Sequence, residues 1–173
     1  MKLYSGKIPT IAEEIVNKLV GEGSIETESR EEVRLDLEAV LKEYLRRDRA
    51  VVEEAKNRME HRKLGYSHLG RTKAEVAKDM GAPTQDDILP YLIGQVLNML
   101  FHSNNVEEIY AEDRQLRIAL TPIFKRHMDL DDELDREVRS KIKNLQEGTA
   151  TFEIEYGRVM EQIRRKRGLT ERN

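Results

Sequence analysis

The sequence predicts an all-α fold made by tandem duplication of a small multi-helix unit. Three observations carry that prediction. Apolar residues recur at helical three–four spacing almost throughout. Strand signals are nearly absent. The second half also repeats the first. With Ile8-Pro9 set over Leu89-Pro90, Asn17 falls on Asn98, Leu19 on Leu100, Ile25 on Val106, Glu31 on Glu112 and Leu35 on Leu116. An insertion in the second copy after this point brings Lys42 onto Lys125, Asp48 onto Asp131, Glu54 onto Glu137, Gly65 onto Gly148 and Val76 onto Val159. An internal repeat decides architecture before any local pattern does. The units are residues 1–82 and 83–173, joined at Gly81-Ala82-Pro83. They are expected to pack about a pseudo-twofold axis as an intramolecular dimer, with the helix from Ile8 to Val20 against its repeat.

The first helix carries Ile8, Ile11, Ala12, Ile15, Val16, Leu19 and Val20 on one face, takes Pro9 in its first turn, and ends at Gly21 and Gly23. Ser29 caps the second helix, with Glu32 at the capping-box position. That helix buries Val33, Leu37, Val40, Leu41 and Tyr44. At Asp48 its apolar stripe meets a polar residue among Arg46, Arg47 and Arg49, which predicts a corner with Asp48 capping a third helix through Val52, Ala55 and Met59. Gly65 to Gly70 reads as a loop and Thr72 to Met80 as a short helix. The second copy repeats the plan. A helix from Asp87 to His102 turns Leu92, Val96, Leu97, Leu100 and Phe101 inward, and Ser103-Asn104-Asn105 stops it. The next carries Leu116, Leu120, Ile123 and Phe124, with Pro122 as a kink point. Asp131 caps a helix carrying Leu134, Val138, Ile142 and Leu145, which Gly148 ends. A last helix carries Phe152, Tyr156, Val159, Met160 and Ile163. Short extended stretches are expected around Ile25 and Val106.

Composition narrows the function classes. The chain is 38% hydrophobic and 36% charged, but 30 basic residues nearly cancel 33 acidic ones, leaving a net charge of -3. That balance favours a folded protein over disorder and speaks against a dedicated DNA-binding domain. Cysteine is absent, so disulfides, thiolate zinc sites and cysteine nucleophiles are excluded. No signal-peptide core and no membrane-length apolar run occurs, so a soluble cytoplasmic protein is expected, without membrane contact. The glycines form no phosphate-cradling loop. His61, His68, His102 and His127 lack the spacing of a bundle metal site, and no cofactor is implied. Acidic residues around Asp129 and Asp132 open a helix, where its dipole favours them, and they lack the glycine and terminal glutamate of a calcium loop.

Two features remain as candidate interaction sites. Arg46, Arg47 and Arg49 fall on Asp129, Leu130 and Asp132 in the repeat, so equivalent corners carry opposite charge and suit complementary docking, within the chain or between molecules. Helix dipoles explain the same charges without docking. The run Arg164-Arg165-Lys166-Arg167 suits phosphates or an acidic partner, and equally a solvated last turn. No aromatic residue interleaves with it for base stacking.

Met1-Lys2-Leu3-Tyr4-Ser5-Gly6-Lys7-Ile8-Pro9, His102-Ser103-Asn104-Asn105-Val106-Glu107-Glu108 and Asp132-Glu133-Leu134-Asp135-Arg136-Glu137-Val138-Arg139-Ser140-Lys141 resemble a bacterial family, domain of unknown function five hundred and seven, over nearly the whole chain. Shorter relatives correspond to one copy, chiefly resembling Asp87 to Arg167. The resemblance implies a bacterial cytoplasmic protein and no established activity, substrate or cofactor. The leading expectation is therefore a non-catalytic helical interaction or scaffold module that binds other proteins or itself. The alternative is an RNA- or ribosome-associated accessory protein using the Arg/Lys clusters, with nucleic acid not favoured. A small metal-dependent enzyme comes third.

Overall fold

A computed structural model describes residues 1–146, 149–167 and 169, with all of their side chains except those of Leu130, Asp131 and Asp132. The protein is mostly helical, as the periodicity predicts. Helix α1 spans Ile8–Gly21, α2 Arg30–His61, α3 Leu69–Asp79, α4 Ile88–His102, α5 Asp113–Met128, α6 Leu130–Lys141 and α7 Ala150–Lys166. Two short strands, β1 at Ile25–Glu26 and β2 at Glu108–Ile109, pair antiparallel, Ile25 opposite Ile109 and Glu26 opposite Glu108. The second strand lies just beyond the expected Val106.

Local chemistry accounts for the ends. After α1 the chain turns on Gly23 at φ +70, and Ser24 N–H reaches back to the Leu19 carbonyl at 2.8 Å. Only glycine takes that left-handed backbone without strain. Ser29 Oγ accepts from Glu32 N–H at 3.3 Å and starts α2 as predicted. Glu112 and Gln115 form a full capping box at the start of α5. Thr149 caps α7 by accepting from Phe152 N–H at 3.2 Å. Pro122 stands inside α5 on an exposed turn, so the missing N–H lies on the solvent side.

The predicted corner at Asp48 does not exist. Helix α2 runs unbroken for 32 residues through Arg46, Arg47, Asp48 and Arg49. Arginine and alanine are strong helix formers, no glycine or proline interrupts, and one interior aspartate costs only ~0.7 kcal/mol. The stripe Leu37, Leu41, Tyr44, Asp48, Val51, Ala55, Met59 keeps a single helical phase, and Val51, not Val52, is the buried valine. The second half does break, at Asp129, but α6 starts at Leu130. Asp131 thus lies inside α6, not at its cap, and its side chain falls outside the described residues. Helix α6 ends at Lys141, ahead of Gly148, which also lies outside them. Helix α3 begins at Leu69, before the expected Thr72.

One core draws on both halves. Leu3, Ile11, Leu19, Leu37 and Leu41 pack with Leu92, Leu100, Leu116, Leu120 and Phe124 in a four-helix bundle of α1, the first half of α2, α4 and α5. Helices α1 and α4 each take α2 and α5 as principal neighbours and are not principal neighbours of each other, so the expected α1–α4 face is corrected. Phe101, expected inward, is 55% exposed; it continues the row of buried Ile93 and Leu97 into the last turn, one turn beyond the cover. Two helical hairpins extend from the bundle. The end of α2 and α3 bury Val51, Ala55, Val76 and Ala77, and α6 with α7 bury Leu134, Val138, Phe152, Val159, Met160 and Ile163. Ion pairs close both: Arg58 to Asp79 at 2.7 Å and Arg167 to Glu137 at 2.7 Å.

Leu35 and Leu116, aligned in sequence, differ in place: Leu35 is 44% exposed and Leu116 fully buried. Burial instead matches Leu35 with exposed Ile118, and Val33, Leu37 and Leu41 with buried Leu116, Leu120 and Phe124. The turn between α4 and β2, residues 103–107, is two residues longer than the turn between α1 and β1, residues 22–24.

Candidate interaction cleft

The N-terminal segment lies across the seam between the halves. Leu3 plugs it into the bundle core at 2% exposure, and the Met1 carbonyl accepts from Gln85 Nε2 at 3.0 Å. Lys2 and Tyr4, on either side of Leu3, line an open cleft of about 640 Å³. The middle of α2 supplies Asp48, Arg49, Val52, Glu53 and Lys56 as a second wall. Helix α7 supplies Glu161 and Arg164 as a third. A neighbouring pocket of about 410 Å³ shares Lys2, Tyr4, Asp48, Val52 and Arg164, and reaches Lys73, Gln85, Asp135 and Tyr156.

Charge in the cleft is uneven. The Arg164 guanidinium lies over the Tyr4 ring, 4.8 Å from its centroid, and donates to the Tyr4 hydroxyl at 2.9 Å. The Lys2 amine sits 5.3 Å from the same ring. Both distances are within cation–π range. Arg164 Nε is enclosed and has no acceptor among the described residues. Of the carboxylates, Glu161 is engaged by Arg165. Asp135 in the neighbouring pocket accepts from Arg139 at 2.8 Å and from the Tyr156 hydroxyl at 2.5 Å. Asp48 sits close enough to the Tyr44 phenol to help burial push that phenol above its usual range.

The candidate residues from the sequence separate here. Arg49 and Arg164 come together in the cleft. Arg46 is exposed and paired with Glu43 at 2.7 Å. Arg47 is spent on structure, donating to the Tyr91 hydroxyl at 2.9 Å and the Met80 carbonyl at 3.4 Å. Arg165 and Arg167 pair with Glu161 and Glu137, and Lys166 is exposed. Asp129 is exposed between α5 and α6, and the side chain of Asp132 lies outside the described residues. No local pattern in the sequence singles out Lys2, Tyr4 or Lys56. Only the fold carries residues from both ends of the chain to the middle of α2.

A family model described as Protein of unknown function (DUF507) matches residues 1–169. The chain belongs to that family. None of the curated proteins matches it. The three segments that resemble the family have distinct places in the structure. The first forms the N-terminal wall of the cleft. In the second, Ser103 Oγ and Asn105 Nδ2 donate to Asp36 at 2.6 and 2.9 Å, and Thr27 Oγ1 donates to the Asn105 carbonyl at 2.6 Å, tying α2 and β1 to the turn after α4. The third is α6, whose Asp135 and Glu137 hold α7.

Elsewhere the titratable groups serve packing. Glu14 on α1 accepts from Arg126 and from His127 Nε2, the latter at 2.7 Å, joining α1 to α5. Glu38 is buried on α2 between Arg34 and Lys42. The ribbon is acidic: burial, Glu28 and Glu26 raise Glu107, and the Tyr110 hydroxyl donates to Glu26 at 2.6 Å. Among the described residues no group of three metal-ligating side chains converges, and no helix is long and apolar enough to cross a membrane.

Proposed function

We propose that this chain is a non-catalytic protein-interaction module of the bacterial cytoplasm, made by tandem duplication and docking its partner in the cleft between the two halves. The observation that carries the reading is the convergence of Arg49, in residues 1–82, and Arg164, in residues 83–173, on one cleft with Lys2 and Lys56. Pockets concentrate at the interfaces between units, where two surfaces meet without filling the space.

Several features support the duplication. Helix, strand, helix and hairpin follow in the same order in each half. Buried Val51, Ala55, Met59, Val76 and Ala77 match buried Leu134, Val138, Ile142, Val159 and Met160. The ribbon pairs Ile25 with Ile109 and Glu26 with Glu108, the register a local twofold axis through its centre requires. The α1–α5 and α2–α4 contacts exchange under that axis. The smaller pocket is lined by the matched positions Val52 with Asp135 and Lys73 with Tyr156, which suits a twofold axis beside the cleft.

The test is purification of the tagged chain from its host, with and without nuclease, for the parent and for Arg49→Glu/Lys56→Glu. A protein partner held by the parent, indifferent to nuclease and lost from the variant is expected. Release by nuclease would favour the RNA-associated alternative.

A further inference from the structure

We infer that the cleft is built for an acidic peptide segment of a partner protein, with a carboxylate between Arg49 and Lys56 and the fixed charge of Arg164 alongside. This rests on the reading of the cleft as the docking surface and gives its occupant a chemistry.

The argument begins with Arg164. Its Nε–H is enclosed and finds no acceptor among the described residues, against the rule that buried donors find acceptors. The Tyr4 hydroxyl takes a different nitrogen, Nη2, and the ring holds the guanidinium in place. The guanidinium, which makes no ion pair among the described residues, thus lends the cleft a fixed positive charge, while its enclosed Nε is out of reach of an incoming group. Arg49 and Lys56 lie on the facing wall of α2 and make no hydrogen bond or ion pair among the described residues. They are solvated cations that an incoming anion engages without first breaking a pair.

Two observations favour a peptide over a nucleic acid. Asp48, Glu53 and Glu161 are interspersed with the cations, and a continuous phosphodiester backbone would meet them at every step. A peptide with spaced carboxylates avoids them. The only aromatic ring lining the larger cleft, Tyr4, is already engaged by Lys2 and Arg164, so it is not an open platform for a base.

The probe is a labelled alternating glutamate–alanine peptide, compared by fluorescence anisotropy with a uridine oligonucleotide of matched charge, on the full chain. Saturable peptide binding is expected, at least about tenfold weaker in Arg49→Glu/Lys56→Glu while melting is unchanged. Three results would overturn the inference: no saturable peptide binding, equal binding by the double variant, or tighter binding of the oligonucleotide. A host protein retained by the parent and lost from the double variant, with neither probe bound, would sink the acidic occupant but leave the cleft reading standing.

Discussion

His127 shows how a surface-adjacent residue ties pH to stability. Burial, then Lys7 and Arg126, hold its imidazole below the ordinary histidine value. The Glu14 carboxylate at 2.7 Å pulls the other way, but Arg126 shares that carboxylate and offsets it. The folded protein therefore keeps His127 neutral, with Nε2–H donating to Glu14. Because the folded value is depressed, the unfolded chain takes up the proton first as pH falls. The stabilisation is complete above the unfolded value of ~6.5 and is lost as pH drops through the window down to the folded value. Thermal melts from neutral to mildly acidic pH should fall more steeply for the parent than for His127→Gln. Identical pH profiles would show that His127 does not titrate differently on folding. Asp36 offers a second test at this scale. One of its carboxylate oxygens accepts from both Ser103 and Asn105, in partly buried surroundings. Asp36→Ala strands both donors and should cost about 1–3 kcal/mol in urea unfolding. A change below a few tenths would mean that water replaces the carboxylate.

Helix α2 runs straight through a local charge signal for a break. An aspartate flanked by arginines looks like the junction of two helices, because arginine suits a helix end and aspartate a helix start. The decisive sign was phase. Tyr44, Asp48, Val51 and Ala55 keep one spacing across the polar residue, whereas a real corner resets it. The α5–α6 break meets the same expectation with a different outcome. Lys125, Arg126 and His127 close one helix and Asp131, Asp132 and Glu133 open the next, so charge there follows real termini. Asp48→Ala separates a mid-helix aspartate from a cap by sign. Alanine is the better interior residue, so the melting temperature should hold or rise. Loss of an N-cap would instead cost ~1 kcal/mol.

For the molecule as a whole, the shared bundle core has a direct consequence. Helix α4 buries Ile88, Leu92, Ile93, Val96, Leu97 and Leu100, largely against α2 and α5. A chain of residues 83–173 alone loses α1 and α2, and with them much of that cover. Each exposed side chain gives up ~1.5–3 kcal/mol of burial. The fragment should dimerise, copying the intramolecular arrangement, or aggregate. Sedimentation of a stable, folded monomer at high concentration would show that the halves do not depend on each other.

Helix content, most buried positions, the Ser29 cap and the two extended stretches were legible in the sequence, because each depends on spacing or on chemistry within a few residues. In the proposed repeat, identities set the insertion after Leu35, while burial fits one in the turn before β2 better, since a helix face must keep its phase and a turn need not. Of the candidate site, Arg49 and Arg164 stood out as members of charged runs. That they share a cleft, that Tyr4 clamps one of them, and that Arg47 and Arg167 are consumed by structural bonds depended on contacts between residues far apart in the chain. Those contacts arise only when α7 and the N-terminal segment are laid across α2, and no local pattern encodes where a distant helix comes to rest.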